Sequence, residues 1–172
     1  GVNSHLPHAP ELVHRRRYGD CKDKALLMVS LLRALDIDAA PALVSTTTRR
    51  ALAEQLPSPG VFDHVIVPVT LDGKVYWLDP TRPTQPGRLA ELYQPDYGQA
   101  LLVRPATTAL VSMASTQPRV NRREISSFVD ASAGPGRPTT MTVRTVFIGL
   151  SADQIRAELA EQPRPETERS YL

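Results

Sequence analysis

The sequence predicts an α+β fold in which a helix near the N-terminus packs against an antiparallel sheet. Apolar residues recur at helical spacing over residues 21–35, and residues 62–81 alternate like two strands joined by an Asp-Gly turn. Strand-like composition returns after residue 121. The 172 residues suffice for one domain with a sizeable core and part of a second. We therefore expect an enzyme-sized core over 1–121 and the start of a β-rich domain over 122–172.

The helix over residues 21–35 has the clearest pattern in the chain. Apolar side chains cover most of its circumference, which predicts a buried, central helix. Asp20 is placed to cap its first turn, and Asp23 three residues later fits the acid of a capping box. A short helical turn over Glu11–Arg16 is expected to precede it.

The other elements are predicted from shorter patterns of alternation and turn residues. They are strands over 41–45, 65–69, 75–78 and 101–104, the last expected to close the sheet; a loop with one helical turn over 46–60; strands over 125–129 and 141–147 around a turn at 133–138; a short helix from Ser151; and a flexible tail.

The Asp-Gly turn at residues 72–73 also predicts a register. In an unbulged hairpin with a two-residue turn, Asp79 lies opposite Ile66. His64 stands two residues before Ile66 and therefore shares its face of the sheet. His64 and Asp79 would then be diagonal neighbours, roughly 7–8 Å apart by Cα. A bulge at Pro68 would break this parity.

Cys21 is the only cysteine, so it cannot form an internal disulfide. It begins the predicted helix, where unpaired N–H groups and the positive end of the helix dipole favour a thiolate. Lys22 and Lys24 add positive charge nearby. Together with His64 and Asp79, this thiol completes the nucleophile, base and orienting acid of a catalytic triad. The backbone N–H of Cys21 is a natural donor to the oxyanion.

Each of these three residues also has a simpler interpretation. A lone cysteine is usually a small core residue, and a histidine beside a strand is commonly a surface or satisfied residue. An aspartate before Pro-Thr often only forms a turn. Their joint occurrence at the ends of regular elements favours the catalytic interpretation.

Composition argues against several other functions. A net charge of +2 and 5% aromatic residues, with no basic stripe, argue against nucleic-acid binding. No apolar run approaches the roughly 18–20 residues of a membrane-spanning helix. His5, His8 and His14 match no standard zinc spacing. The predicted chemistry requires no metal and no organic cofactor.

Three segments of the chain resemble the transglutaminase-like superfamily, in the expected order. They are Arg17–Ala25 around the cysteine, Phe62–Val67 around the histidine and Trp77–Thr81 around the aspartate. More narrowly, they resemble a bacterial group in which such a core sits between two β-rich domains. The likeness covers roughly residues 1–121 and implies a papain-like core trimmed at its N-terminus.

By this resemblance Cys21 is the nucleophile, His64 the base and acid, and Asp79 the orienting residue. Some relatives place a Trp or Gln upstream as second oxyanion donor, and no such residue precedes Cys21. Asn3, His5 and Tyr18 are the side chains considered in its place.

The resemblance implies acyl transfer through a thioester, on a protein or peptide substrate and with an amine as a possible acceptor. A cysteine peptidase or amidase that uses water is the second possibility. The third is a non-catalytic binding or scaffold module of a larger bacterial envelope protein. The family suggests a bacterial periplasm or cell envelope as the location.

Overall fold

A computed structural model describes residues 6–82, 84–114 and 120–161. It has mixed α and β structure, and every described strand pair is antiparallel, as an α+β fold requires. The helices are α1 (Pro10–Arg16), α2 (Cys21–Ala34) and α3 (Leu150–Glu161). The strands are β1 (Ala42–Val44), β2 (His64–Leu71), β3 (Lys74–Leu78), β4 (Gln99–Leu102), β5 (Val111–Ser112), β6 (Arg122–Asp130) and β7 (Thr140–Ile148). Short 3-10 helices cover Arg49–Glu54, Pro59–Val61 and Leu89–Glu91.

The chain forms two compact units, Gly1–Pro118 and Arg119–Leu172. The first unit contains a five-stranded sheet in the order β3-β2-β1-β4-β5. Helix α2 packs against β2, and its Ala25 and Val29 share one apolar cluster with Val65 and Val67. Ile66, the residue between them, belongs to a second cluster that also contains Val44, Trp77, Tyr97 and Met113. The alternation along β2 thus divides the core of this unit into two clusters.

Helix α2 begins where the sequence predicts. The Asp20 side chain accepts a hydrogen bond from the Asp23 N–H at 3.2 Å, and the Asp23 side chain accepts one from the Asp20 N–H at 3.3 Å. This reciprocal pair is the predicted capping box, and it satisfies two donors that a helix start otherwise leaves unpaired. The first turn of α2 is therefore held in place at the position of Cys21.

The prediction that α2 is buried all round is wrong. Leu31 is 55% exposed and Leu35 is 70% exposed, whereas Ala25 and Val29 are fully buried. The sheet covers one face of the helix. The apolar pattern could not reveal this, because it records which residues tolerate burial and not which of them have a neighbour.

Asp23 also joins the segment before α1 to the catalytic helix. Its carboxylate accepts hydrogen bonds from the backbone N–H of His8 at 2.7 Å and from His8 Nδ1 at 3.0 Å. Burial disfavours the charged carboxylate, but these donors outweigh it and hold the pKa of Asp23 below its ordinary value. One buried carboxylate thus fixes both the start of α2 and the strand-like segment that precedes α1.

The β2–β3 hairpin has the predicted register. Asp72 and Gly73 both have positive φ, 50° and 71°, as a type I′ turn requires. Pairing is continuous away from the turn, and Pro68 lies directly opposite Trp77. Because hydrogen-bonded and non-hydrogen-bonded pairs alternate from the turn outward, Pro68 occupies a non-hydrogen-bonded pair with β3. Its missing N–H therefore removes no bond from this ladder, and no bulge is needed.

The far side of the sheet differs more from expectation. The strand predicted over 101–104 is β4, which pairs with β1, so it does not close the sheet as expected. The edge beyond it is β5, a two-residue strand that the sequence pattern did not predict. Between β1 and β2, residues 46–61 form two 3-10 helices where one helical turn was expected.

In the second unit, β6 and β7 pair over nine residues each and α3 follows directly. Gly149 precedes α3 with a φ of 73°, and a Cβ there would lie 2.1 Å from the carbonyl oxygen of Val120. Only glycine fits this approach. Many apolar side chains of the two strands are exposed, including Ile125, Phe128, Val129, Met141 and Val143. The predicted flexible tail falls at 162–172, outside the described residues.

Replacing Asp23 with alanine should destabilise the first unit by about 2 kcal/mol, because it removes half of the capping box and leaves two buried N–H groups of residues 8 and 20 without their acceptor. Urea denaturation followed by tryptophan fluorescence measures the change. Glu54→Ala, at an exposed position, is the matched control and should shift stability by less than about 0.5 kcal/mol. Equal stabilities of the two variants would contradict this role of Asp23.

Candidate active site

The first residue of α2 carries the thiol. Cys21 is half-buried, and its sulfur accepts hydrogen bonds from the His64 side chain and from the backbone N–H of Val65. The bond with His64 is the larger cause that lowers the pKa of the Cys21 thiol; burial opposes it, and the Val65 N–H adds to it. The thiol therefore lies in an environment that stabilises its nucleophilic form.

The first residue of β2 carries the imidazole. His64 Nε2 lies 2.8 Å from Asp79 Oδ2, so Nδ1 is the ring nitrogen left to face Cys21. The ring also meets the ring of Tyr97 edge-on, with centroids 6.2 Å apart. Burial favours the neutral ring, but the hydrogen bonds to Asp79 and then Cys21 outweigh it and raise the pKa of His64 to about 9.

Asp79 follows β3 and is almost fully buried, with 4% of its side chain exposed. Its two carboxylate oxygens have different partners. Oδ2 faces His64, while Oδ1 accepts from the Thr81 backbone N–H at 3.0 Å and from Thr81 Oγ1 at 2.6 Å. Burial raises the pKa of Asp79, but these donors outweigh it and keep the pKa below the ordinary value. The carboxylate is thus ionised and held in one orientation.

The structure brings all three predicted site residues together. His64 and Asp79 meet as the unbulged register predicted, because an Ile66–Asp79 pairing would continue the observed ladder by one further step. Cys21 joins them from a separate element. The contact between helix start and strand start could not be predicted from spacing, since it depends on how α2 packs against β2.

Two supporting contacts were missed at the sequence level. Thr81 forms an Asx-type turn with Asp79, and the Asp-Pro-Thr run was the signal that could have indicated it. Asp63, next to His64, accepts hydrogen bonds from the Thr46 N–H at 2.7 Å, Thr46 Oγ1 at 3.0 Å and Thr47 Oγ1 at 3.3 Å. This second contact fixes the start of the 46–61 loop beside the imidazole, and nothing local in the sequence indicated it.

The remaining sequence expectations can be placed briefly. Tyr18 is 80% exposed, and Asn3 and His5 lie outside the described residues, so no second oxyanion donor is assigned. Across residues 6–82, 84–114 and 120–161 no group of three or more potential metal ligands occurs. In the same described ranges, the helices are all too short or too polar to cross a bilayer.

Comparison of the sequence with protein-family models and with curated proteins found no match. The chemistry is therefore argued from the arrangement of the side chains. A thiol with a lowered pKa beside an imidazole with a raised pKa can exist as a thiolate–imidazolium pair near neutral pH. Such a pair combines a nucleophile with a proton donor for a leaving group.

The pair should be visible in the pH dependence of thiol alkylation. The rate of Cys21 alkylation by iodoacetamide should rise at a pH well below the ordinary thiol pKa of about 8.5, because the thiolate forms once the pH exceeds the lowered thiol pKa. In His64→Ala the rise should move up to the ordinary range. Identical profiles for the wild type and His64→Ala would show that the thiolate–imidazolium pair does not form.

Thr81→Val should weaken the support of Asp79 while leaving the three triad residues in place. Loss of one charge-assisted hydrogen bond, worth about 1.5 kcal/mol, should reduce the advantage of the charged imidazole and lower thiol reactivity at pH 6 by roughly 3- to 10-fold. The same alkylation assay measures it. Thr70→Val, at an exposed position on β2, is the matched control and should react like the wild type.

Proposed function

We propose that this protein is a transglutaminase-like thiol enzyme with a papain-like core, which transfers or hydrolyses an acyl group at an amide or peptide bond. One observation carries the proposal. A thiol at a helix start, an imidazole at a strand start and a buried carboxylate form one continuous hydrogen-bonded chain. The three groups come from α2, β2 and the turn after β3, so local sequence proximity does not account for the chain.

The surroundings of the thiol support catalysis over a structural role. A core cysteine is normally enclosed by apolar side chains, and its pKa is raised by burial. Cys21 is only half-buried, is bonded to an imidazole and has a lowered pKa. A scaffold module has no need for a nearly fully buried carboxylate with both oxygens engaged, because burying that charge is costly unless it is used or fully paired.

The first half-reaction follows from the geometry. The Cys21 thiolate attacks the substrate carbonyl carbon, and the forming oxyanion is stabilised by the Cys21 backbone N–H, which has no partner within the helix. The His64 imidazolium then gives its proton to the leaving amine as the carbon–nitrogen bond breaks. The products are a free amine, a Cys21 thioester and a neutral imidazole, which Asp79 keeps oriented through Nε2.

The second half-reaction regenerates the pair. An amine or a water molecule attacks the thioester carbonyl, and His64 accepts its proton. The carbon–sulfur bond breaks, the new amide or acid leaves, and the thiolate–imidazolium pair is restored. Water as acceptor gives a cysteine peptidase or amidase, and an amine gives a cross-linking transferase on protein or peptide substrates.

Acyl transfer can be assayed without knowing the natural substrate. The protein is incubated with a mixture of glutamine-containing peptides and a biotinylated alkylamine, and mass spectrometry records both amine incorporation and hydrolysis. Cys21→Ala should abolish both products, since no thioester can form. Asp79→Asn should lower the rate by at least about 100-fold, because the imidazole loses its orienting charge. Thr70→Val serves again as the surface control.

Two results would contradict the proposal. Turnover retained in Cys21→Ala would exclude the thiol as nucleophile. An ordinary, His64-independent thiol that forms no acyl adduct with any donor would instead favour the non-catalytic binding or scaffold module.

A further inference from the structure

We propose that an apolar pocket beside the triad binds an apolar side chain of the acyl donor and so selects the substrate. The inference rests on the proposed acyl-transfer function and names the substrate class of that same site. The pocket has a volume of about 570 Å³. Its walls are Leu43 of β1, Leu101 of β4, the loop residues 52–62 and the turn 108–110.

The pocket is continuous with the catalytic residues through two short connections. Phe62 lines it, and His64 follows two residues later. Leu43 also lines it and is the direct cross-strand partner of Val65, whose backbone N–H donates to the Cys21 sulfur. Directly opposed residues of antiparallel strands are about 4.5–5.5 Å apart by Cα. One wall of the pocket is therefore a single strand away from the strand that contacts the nucleophile.

The position of that wall relative to α2 is also defined. Leu43 packs against the apolar cluster that contains Val65 and the core face of α2, the same cluster against which Cys21 packs. Leu101 is the partner of Leu43 on the next strand. The apolar surface thus runs from the thiol across β1 to β4 without a change of sheet face.

The lining suits an uncharged, apolar group. Among the described residues that line the pocket, none carries a charge, and only Gln55, Ser58 and Thr108 are polar. Leu52 is buried and anchors the loop from within. Because Asp63 binds the start of this loop through Thr46, the pocket is held beside the imidazole. A leucine- or phenylalanine-sized side chain of the acyl donor is the occupant we infer.

Simple acyl esters can test the pocket directly. The esters p-nitrophenyl acetate and p-nitrophenyl hexanoate acylate a thiol with release of p-nitrophenolate, and they differ only in the length of the acyl chain. The ratio of their second-order rate constants with Cys21, divided by the same ratio for N-acetylcysteine, isolates the contribution of the protein. We expect a corrected ratio of roughly 10 to 100 in favour of hexanoate.

Two variants place a charge in the pocket without touching the triad. Ala109→Asp and Thr108→Asp alter exposed lining residues, and both should bring the corrected ratio close to 1 while leaving the acetate rate unchanged. The unchanged acetate rate also reports that each variant is folded. Ala106→Asp is the matched control, since Ala106 is exposed in the same loop but does not line the pocket, and it should keep the preference.

The other apolar groove on this unit provides a competing explanation for any preference. It follows the exposed flank of α2 and includes Leu31. A preference that survives both Ala109→Asp and Thr108→Asp but disappears in Leu31→Asn would overturn the proposal, as would fast acylation by acetate with no preference for hexanoate. Those results leave the acyl-transfer function intact. Acylation no faster than that of N-acetylcysteine and unchanged in His64→Ala would overturn both proposals.

Discussion

The arrangement of the site depends on the register of one hairpin. Side chains alternate along a strand, so a one-residue slip between β2 and β3 would move Asp79 to the face opposite His64 and separate the pair. The type I′ turn at residues 72–73 sets the register, and continuous pairing carries it to the open end of the hairpin. Pro68 does not disturb this pairing, because it occupies a position where β3 requires no N–H. A turn eight residues or so from the imidazole therefore determines which carboxylate the imidazole meets.

The same pair explains how charge is kept in the interior of the unit. A buried carboxylate without donors would take up a proton, and a buried imidazole without an acceptor would lose one. Asp79 has donors at both oxygens, and His64 lies between Asp79 and Cys21, so each charge stabilises the next. The chain ends at a half-buried thiol, the one group of the three that a substrate can readily approach. Burial thus increases from the nucleophile to the orienting carboxylate, as expected where water must reach the reacting end only.

Local patterns in the sequence were sufficient for the parts that local forces determine. The capping box at Asp20, the span of α2 and the hairpin with its His64–Asp79 neighbours all follow from residues within about fifteen positions of one another. The position of β4 inside the sheet, the edge strand β5 and the bond between Asp63 and Thr46 depend on contacts between distant segments. The exposed flank around Leu31 has the same origin, because periodicity does not reveal which face of an apolar helix is covered. Thr81 is the exception, a local contact whose turn signal was present and was overlooked.

The inferred pocket divides the determinants of selectivity between a fixed and a variable part. Its floor, Leu43 and Leu101, lies on strands whose pairing also places Val65 against the thiol, so the floor cannot move without disturbing the nucleophile. Its rim comes from the 46–61 loop and residues 108–110, where exposed positions such as Ala109 make few demands on the fold. Substitutions in the rim can therefore change which acyl group is accepted while the triad geometry is preserved. Asp63 sets the limit of this freedom, because it ties the loop to the residue next to His64, and changes that break this tie would alter selectivity and reactivity together.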